Sequence, residues 1–125
     1  MEVKAGLFYA ASHEWVEFLD DTTALVGISD HAQHELGDLV FVNLPKVGDQ
    51  TAVGKTFADV ESVKAVSDIY APVSGTVAEV NDQLLDEPER MNQSPYGAWI
   101  AKIENISQRG DLMDAAAYQD YCKTL

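Results

Sequence analysis

The chain has 125 residues, 8 Lys and Arg against 21 Asp and Glu, a formal charge of −13 and 46% hydrophobic residues, which suits one folded domain, residues 1–125, rather than a disordered acidic chain. So acidic a surface repels nucleic acid and anionic membranes, so neither is expected as a partner, and it favours enzymes with basic docking surfaces. A single cysteine, Cys122, excludes an intramolecular disulfide.

At the N-terminus, Ala5 to Ala11 is the best candidate for a signal h-region, but it is short and Glu2 stands where a basic n-region belongs. A transit peptide should be rich in Arg, and the first Arg is Arg90. With Met1 as the start, a cytoplasmic protein is expected, or a mitochondrial-matrix one only if a transit peptide has been removed. No apolar run approaches the roughly eighteen residues of a membrane span.

The patterning is mostly that of strands. Glu14 to Leu19 reads as a strand, Asp20-Asp21 as a turn and Thr22 to Ile28 as the return strand. Ser29 can cap a short helix through Ala32 and Leu36, stopped by Gly37. Asp38 to Leu44 is the next strand, closed by Pro45 and Gly48-Asp49. Further strands are predicted at Thr56 to Glu61, Ala65 to Tyr70, Thr76 to Val80 and Ala98 to Glu104. Asp114 can cap a C-terminal helix, about 114–122, with Ala117, Tyr118 and Tyr121 on one face. Trp15, Phe18, Phe41, Trp99 and Tyr118 read as core. The fold class is mainly β: a small β-sandwich or flattened barrel with short helices and a C-terminal helix. Gly37 to Leu44 resembles Gly75 to Asn81, and a duplication about an approximate two-fold axis would put the segment between them on an exposed hairpin. A monomer is expected.

That central segment carries the chemistry. Lys64 lies in Glu61-Ser62-Val63-Lys64-Ala65, between strand residues and beside polar, turn-compatible ones. A lysine on a hairpin tip presents an unhindered amine. Joined to an eight-carbon acid, it makes an arm of roughly 12–14 Å, anchored rigidly but free to swing. Pro72-Val73-Ser74-Gly75 follows eight residues later and opens another strand. Together these resemble the lipoyl and biotinyl carrier domains, which share a barrel-sandwich hybrid fold.

Within that superfamily the chain is similar to the glycine cleavage H-proteins over nearly its whole length. The matching segments are His13-Glu14-Trp15-Val16, Gly27-Ile28-Ser29-Asp30, Leu36 to Val42, Leu44-Pro45-Lys46-Val47-Gly48, Glu61 to Ala65, Ala71 to Gly75 and Asn92-Gln93-Ser94-Pro95-Tyr96-Gly97. Biotin carriers usually show Met-Lys-Met at the modified lysine, and 2-oxo-acid dehydrogenase lipoyl domains Asp-Lys-Ala, so Glu-Ser-Val-Lys-Ala is the specific signal. One stretch departs: relatives tend to read Pro-Tyr-Gly-x-Gly-Trp, whereas Pro95-Tyr96-Gly97-Ala98-Trp99 is one residue shorter. That puts the geometry of this loop in question.

The resemblance implies a non-catalytic shuttle with lipoate amide-linked to Lys64 by a lipoate ligase or lipoyltransferase. Such a carrier takes the aminomethyl group of glycine between a pyridoxal-phosphate glycine decarboxylase, a tetrahydrofolate-dependent aminomethyltransferase and a flavin dihydrolipoyl dehydrogenase. The alternative is a lipoyl donor or relay protein supplying other complexes, which would use the same lysine. An aminomethyl thioether decomposes in bulk water to formaldehyde and ammonia, so the carrier should shelter its arm and offer acceptors to a cationic amine. The candidates are Ser12, Glu14 and Asp68, with His34 bordering the groove. His31 and His34 are three apart on the predicted helix, but no ligand motif accompanies them and no metal is expected. His13 reads as structural. Val73-Ser74-Gly75 lacks the frame of a nucleophile elbow, no Gly-rich phosphate loop is present, and no catalytic residues are assigned.

Overall fold

The computed structural model describes residues 1–125. In chain order the elements are β1 (Phe8–Tyr9), β2 (Glu14–Phe18), β3 (Ala24–Ile28), α1 (Asp30–Leu36), β4 (Leu39–Asn43), β5 (Gln50–Thr51), β6 (Thr56–Ser62), β7 (Val66–Tyr70), β8 (Val73–Val80), α2 (Gln83–Asp86), α3 (Arg90–Gln93), β9 (Ala101–Arg109) and α4 (Ala115–Cys122). A six-stranded sheet has the order β1-β2-β3-β9-β8-β5, and a three-stranded sheet has the order β4-β6-β7. Every pairing is antiparallel. No helix is long and apolar enough to cross a membrane.

The inward faces of both sheets meet in one apolar core. Val16, Val26, Ile28, Val73, Val77 and Ile103 come from the large sheet; Val42, Val60 and Ile69 come from the small one. Burial alternates along β8 and through the middle of β6 and fixes the register there, because a one-residue slip would turn these residues to solvent. A smaller cluster of Leu7, Tyr9, Trp15, Tyr118 and Cys122 lies against α4. There the Tyr9 and Tyr118 rings stack with centroids 4.3 Å apart. The predicted helix starts are realised: Ser29 Oγ accepts the Ala32 N–H at 3.2 Å, and Asp114 Oδ1 accepts the Ala117 N–H at 2.8 Å. Gly37 ends α1 at φ +80°, ψ −161°, a conformation open essentially to glycine alone.

Several expectations are corrected. Phe41 is 46% exposed rather than core. The β4–β6 ladder shifts register between Leu39 and Phe41, so Leu39 and Val42 face inward while Val40 and Phe41 both face out. On α4 the buried residues are Tyr118 and Cys122, and Ala117 is exposed. The last strand begins at Ala101, not Ala98, and runs on to Arg109. Residues before it are drawn into a turn closed by the Ala98 N–H on Ser94 O at 2.8 Å. β8 starts at Val73, with Gly75 inside it; a Cβ there would come within 2.6 Å of Glu104 O on β9. β1 and β5 have two residues each, and α2 and α3 four each, too few for a period to show. The two similar segments, Gly37–Leu44 and Gly75–Asn81, supply β4 and β8, in different sheets.

Candidate functional site

β6 and β7 form a hairpin paired from Thr56–Tyr70 to Glu61–Val66, and Ser62 to Ala65 make its tip. The tip needs no glycine because Ser62 organises it. Its N–H donates to Ala65 O at 2.8 Å, and its Oγ accepts the N–H groups of Lys64 and Ala65, both at 3.1 Å. This is a hydroxyl-closed turn, in which the side chain substitutes for a backbone acceptor. Val63, Lys64 and Ala65 are exposed, and Lys64 forms no ion pair. The amine is therefore free for acylation. Glu61, outward on the same strand, sits between Phe41 on β4 and Val66 on β7.

The tip rests on the α1–β4 corner. The Val63 N–H donates to Asp38 O at 3.1 Å. The alkyl chain of Lys64 runs over Gly37, where a Cβ would stand 3.2 Å from Lys64 Cε. α3 buttresses this corner through Asn92. Its Oδ1 accepts the Leu39 N–H at 2.9 Å, and its Nδ2 donates to Gly37 O at 2.9 Å and Gln33 Oε1 at 3.0 Å. The sequence marks Asn92 only as part of a motif; its role depends on a contact more than fifty residues away.

The arm-sheltering candidates divide. Glu14, on β2, is 2% exposed. Ser12 Oγ donates to its Oε1, and the Tyr70 N–H on β7 donates to its Oε2 at 3.1 Å. Burial raises the Glu14 pKa, and the bonds from Ser12 and Tyr70 oppose that rise. Glu14 thus ties the edge of the small sheet to the large one. Asp68 is exposed two residues before Tyr70 on the same strand. Ser12, Glu14 and β7 are brought together, whereas His34 is exposed in the last turn of α1 and hydrogen-bonds to none of the three.

His13 is more than a neighbour of this group. It adopts φ +78°, and its Nδ1 lies 2.7 Å from the Tyr118 hydroxyl, which is itself 2.7 Å from Ser29 Oγ. The His13 and His31 rings are 4.4 Å apart. Burial, then His31, lowers the His13 pKa. The turn that presents Ser12 and Glu14 is therefore held by α4.

The shortened loop closes without left-handed backbone. The Gly97 and Ala98 N–H groups both donate to Ser94 O, at 3.1 and 2.8 Å, and no residue from Ser94 to Trp99 has positive φ. Trp15 Nε1 donates to Pro95 O at 3.0 Å, which ties the loop to β2. A polar cavity lies beside it, lined by Asn81, Gln83, Arg90, Ser94, Gly97 and Ala98.

Comparison with known proteins agrees with this geometry. The family model described as glycine cleavage H-protein matches residues 7–125. The chain is 54% identical over 123 residues to the glycine cleavage system H protein of Lachnoclostridium phytofermentans, covering 98% of this chain and 97% of that one. It is 56% identical over 127 residues to the probable glycine cleavage system H protein of Pyrococcus horikoshii, covering 99% and 95%. The crystal structure of a glycine cleavage system H protein from Mycobacterium marinum superposes with a TM-score of 0.89 at 36% identity, over 98% of each chain. With its lysine hairpin, its two sheets and its full-length match, the chain belongs to the glycine cleavage H-protein family.

Proposed function

We propose that this protein is the non-catalytic, lipoyl-bearing shuttle of the glycine cleavage system, modified on Lys64. The observation that carries the reading is the placement of Lys64: exposed, without an ion-pair partner, on a hairpin tip ordered by Ser62. These features fit an amide-linked acid, since acylation consumes an amine that stabilises nothing in the fold. Glu61, Ser62, Val63 and Ala65 form the attachment motif that a lipoate ligase or lipoyltransferase would meet. When attached, lipoate supplies a disulfide that accepts the aminomethyl unit of glycine and delivers it onward.

The protein's own contribution is positioning. A charge of −13 steers basic faces of glycine decarboxylase, aminomethyltransferase and dihydrolipoyl dehydrogenase toward it. Ser12, Glu14 and Asp68 offer acceptors to a cationic amine brought back against the edge of β7, where each Glu14 oxygen uses one hydrogen bond and keeps a free lone pair.

Lys64→Arg tests the central claim. Arginine keeps the charge and suits the same exposed turn, but it has no acylatable amine. After incubation with lipoate ligase, lipoate and ATP, intact mass should show the lipoyl increment on the wild type and none on the variant. Peptide mapping should place the increment on Lys64, and glycine-dependent methylenetetrahydrofolate formation should fall to background in the variant. Turnover by the Arg variant would refute the assignment.

A further inference from the structure

We propose that Asn92 is a positioning residue for the modification of Lys64: from α3 it locks the α1–β4 corner on which the lysine tip rests. The inference builds on the carrier reading above and adds a residue remote in sequence from the attachment motif. Asn92 spends both of its amide donors and one of its two acceptor positions on this corner. The Leu39 N–H can only donate and the Gly37 carbonyl can only accept, so the amide orientation is fixed by its partners. Three bonds from one side chain thus hold the residues on both sides of Asp38, together with Gln33 in α1.

Two contacts pass from that corner to the tip. Asp38 O receives the Val63 N–H, and Gly37 lies under the Lys64 alkyl chain. The sheet alone does not secure the corner, because the β4–β6 ladder is interrupted immediately after Leu39. Gly37 keeps one bond to its own helix, its N–H on Gln33 O at 3.0 Å, but with no side chain its backbone is otherwise little restricted. Without Asn92, the corner and the lysine it supports would sample many orientations. A modifying enzyme that must bring the amine to an activated acyl group would then find the productive one less often.

The test uses the unmodified full-length protein with purified lipoate ligase, lipoate and ATP, alongside amide hydrogen exchange. In Asn92→Ala and Asn92→Asp, kcat for lipoylation should fall about ten- to a hundredfold, the scale of a misplacement near 1 Å. KM for the carrier should stay near wild type, because the docking surface is unchanged. Exchange at the Val63 amide should accelerate while Val60 and Ile69 keep their protection. Gln33→Ala loses the outermost of the three Asn92 bonds and a bond to Asp30 Oδ1 within α1, leaves the Leu39 and Gly37 bonds in place, and should behave nearly as wild type. If Asn92→Ala does not fold, Asn92→Ser retains one hydroxyl for the Leu39 N–H and should show the same signature in smaller measure. A wild-type kcat in the Asn92 variants, or unaltered Val63 exchange beside a lowered kcat, would overturn the proposal. Loss of protection spread evenly over both sheets would overturn it too, by making Asn92 a general stabiliser. Failure of the wild-type protein to be lipoylated at Lys64 would instead sink the carrier reading on which the proposal stands.

Discussion

The lysine tip and the Ser12–Glu14 turn are built in opposite ways. The tip is exposed, closed by one hydroxyl and a few backbone bonds, with its lysine left unpaired. The Ser12–Glu14 turn is backed by the second apolar cluster, by a left-handed His13 and by a carboxylate with fixed donors. On the carrier reading proposed above, the difference follows from what each is asked to do: the tip to carry a group into other proteins, the Ser12–Glu14 turn to receive it back. A group that must enter other proteins cannot be buried in its own, so the tip is ordered only at its root. A surface that receives a mobile group must not move, so its polar atoms are held by packing. The contrast predicts that damage to α4 loosens the receiving turn and leaves the tip intact.

The largest effect should come from Tyr118→Ala. This ring is fully buried, stacks on Tyr9 and bridges His13 to Ser29. Removing it should cost about 3–5 kcal/mol, as for other buried aromatics. The loss should appear in the urea midpoint, while Lys64 is still lipoylated at the wild-type rate in conditions where the variant is folded. Tyr118→Phe isolates the hydroxyl and should cost about 1–3 kcal/mol, because Ser29 and His13 each lose a partner. If lipoylation slowed in step with either loss, the two regions would be one cooperative unit and the contrast would fail.

Glu14→Gln acts on the receiving side alone. The amide can still accept from Tyr70 and donate to Ser12, so the fold should survive, but the charge is gone. A charge-assisted hydrogen bond contributes about 1.5–3 kcal/mol. The glycine-charged carrier should therefore release formaldehyde faster, by about ten- to a hundredfold at most, when no aminomethyltransferase is present. Asp68→Asn should show the same tendency from a more exposed site. Lifetimes equal to wild type in both variants would make these carboxylates ordinary side chains.

Much of this was legible in the sequence, for local reasons. Both longer helices carry their N-caps in the sequence, at Ser29 and Asp114, α1 carries its stop at Gly37, and the turn at the lysine tip is closed within its own five residues. Phe41 misled because a bulge inverts the face of a strand without changing its composition. The buried state of Glu14 and the reach of Asn92 were hidden because each is decided by a partner, Tyr70 or Gly37, more than fifty residues away. An isolated carboxylate in an alternating strand reads as solvated. Only the approach of the second sheet's edge turns it inward.

The smallest effect sharpens the description of the receiving turn, where adjacent residues should respond to acid with opposite signs. Burial and His31 lower the His13 pKa from the ordinary 6.5, so its contribution to stability is complete above about 6.5 and is lost as pH falls through the lowered value. Burial raises the Glu14 pKa from 4.5, so its contribution is fully present below about 4.5 and is lost as pH rises through the raised value. Between those limits the two slopes oppose each other, and the wild-type stability should change little with pH on their account. The carboxylate of Glu35 acts on His13 in the other direction and softens its response, while Ser12 and Tyr70 do the same for Glu14. His13→Asn tolerates the positive φ and removes the imidazole; its urea midpoint, measured relative to wild type from pH 7.5 to 4.5, should improve as pH falls. Glu14→Gln should do the reverse, losing ground to wild type over the same descent. Parallel pH profiles for the wild type and both variants would show that neither group titrates differently in the folded and unfolded chain, and that the packing of α4 against this turn leaves its charges as solvated as those of the lysine tip.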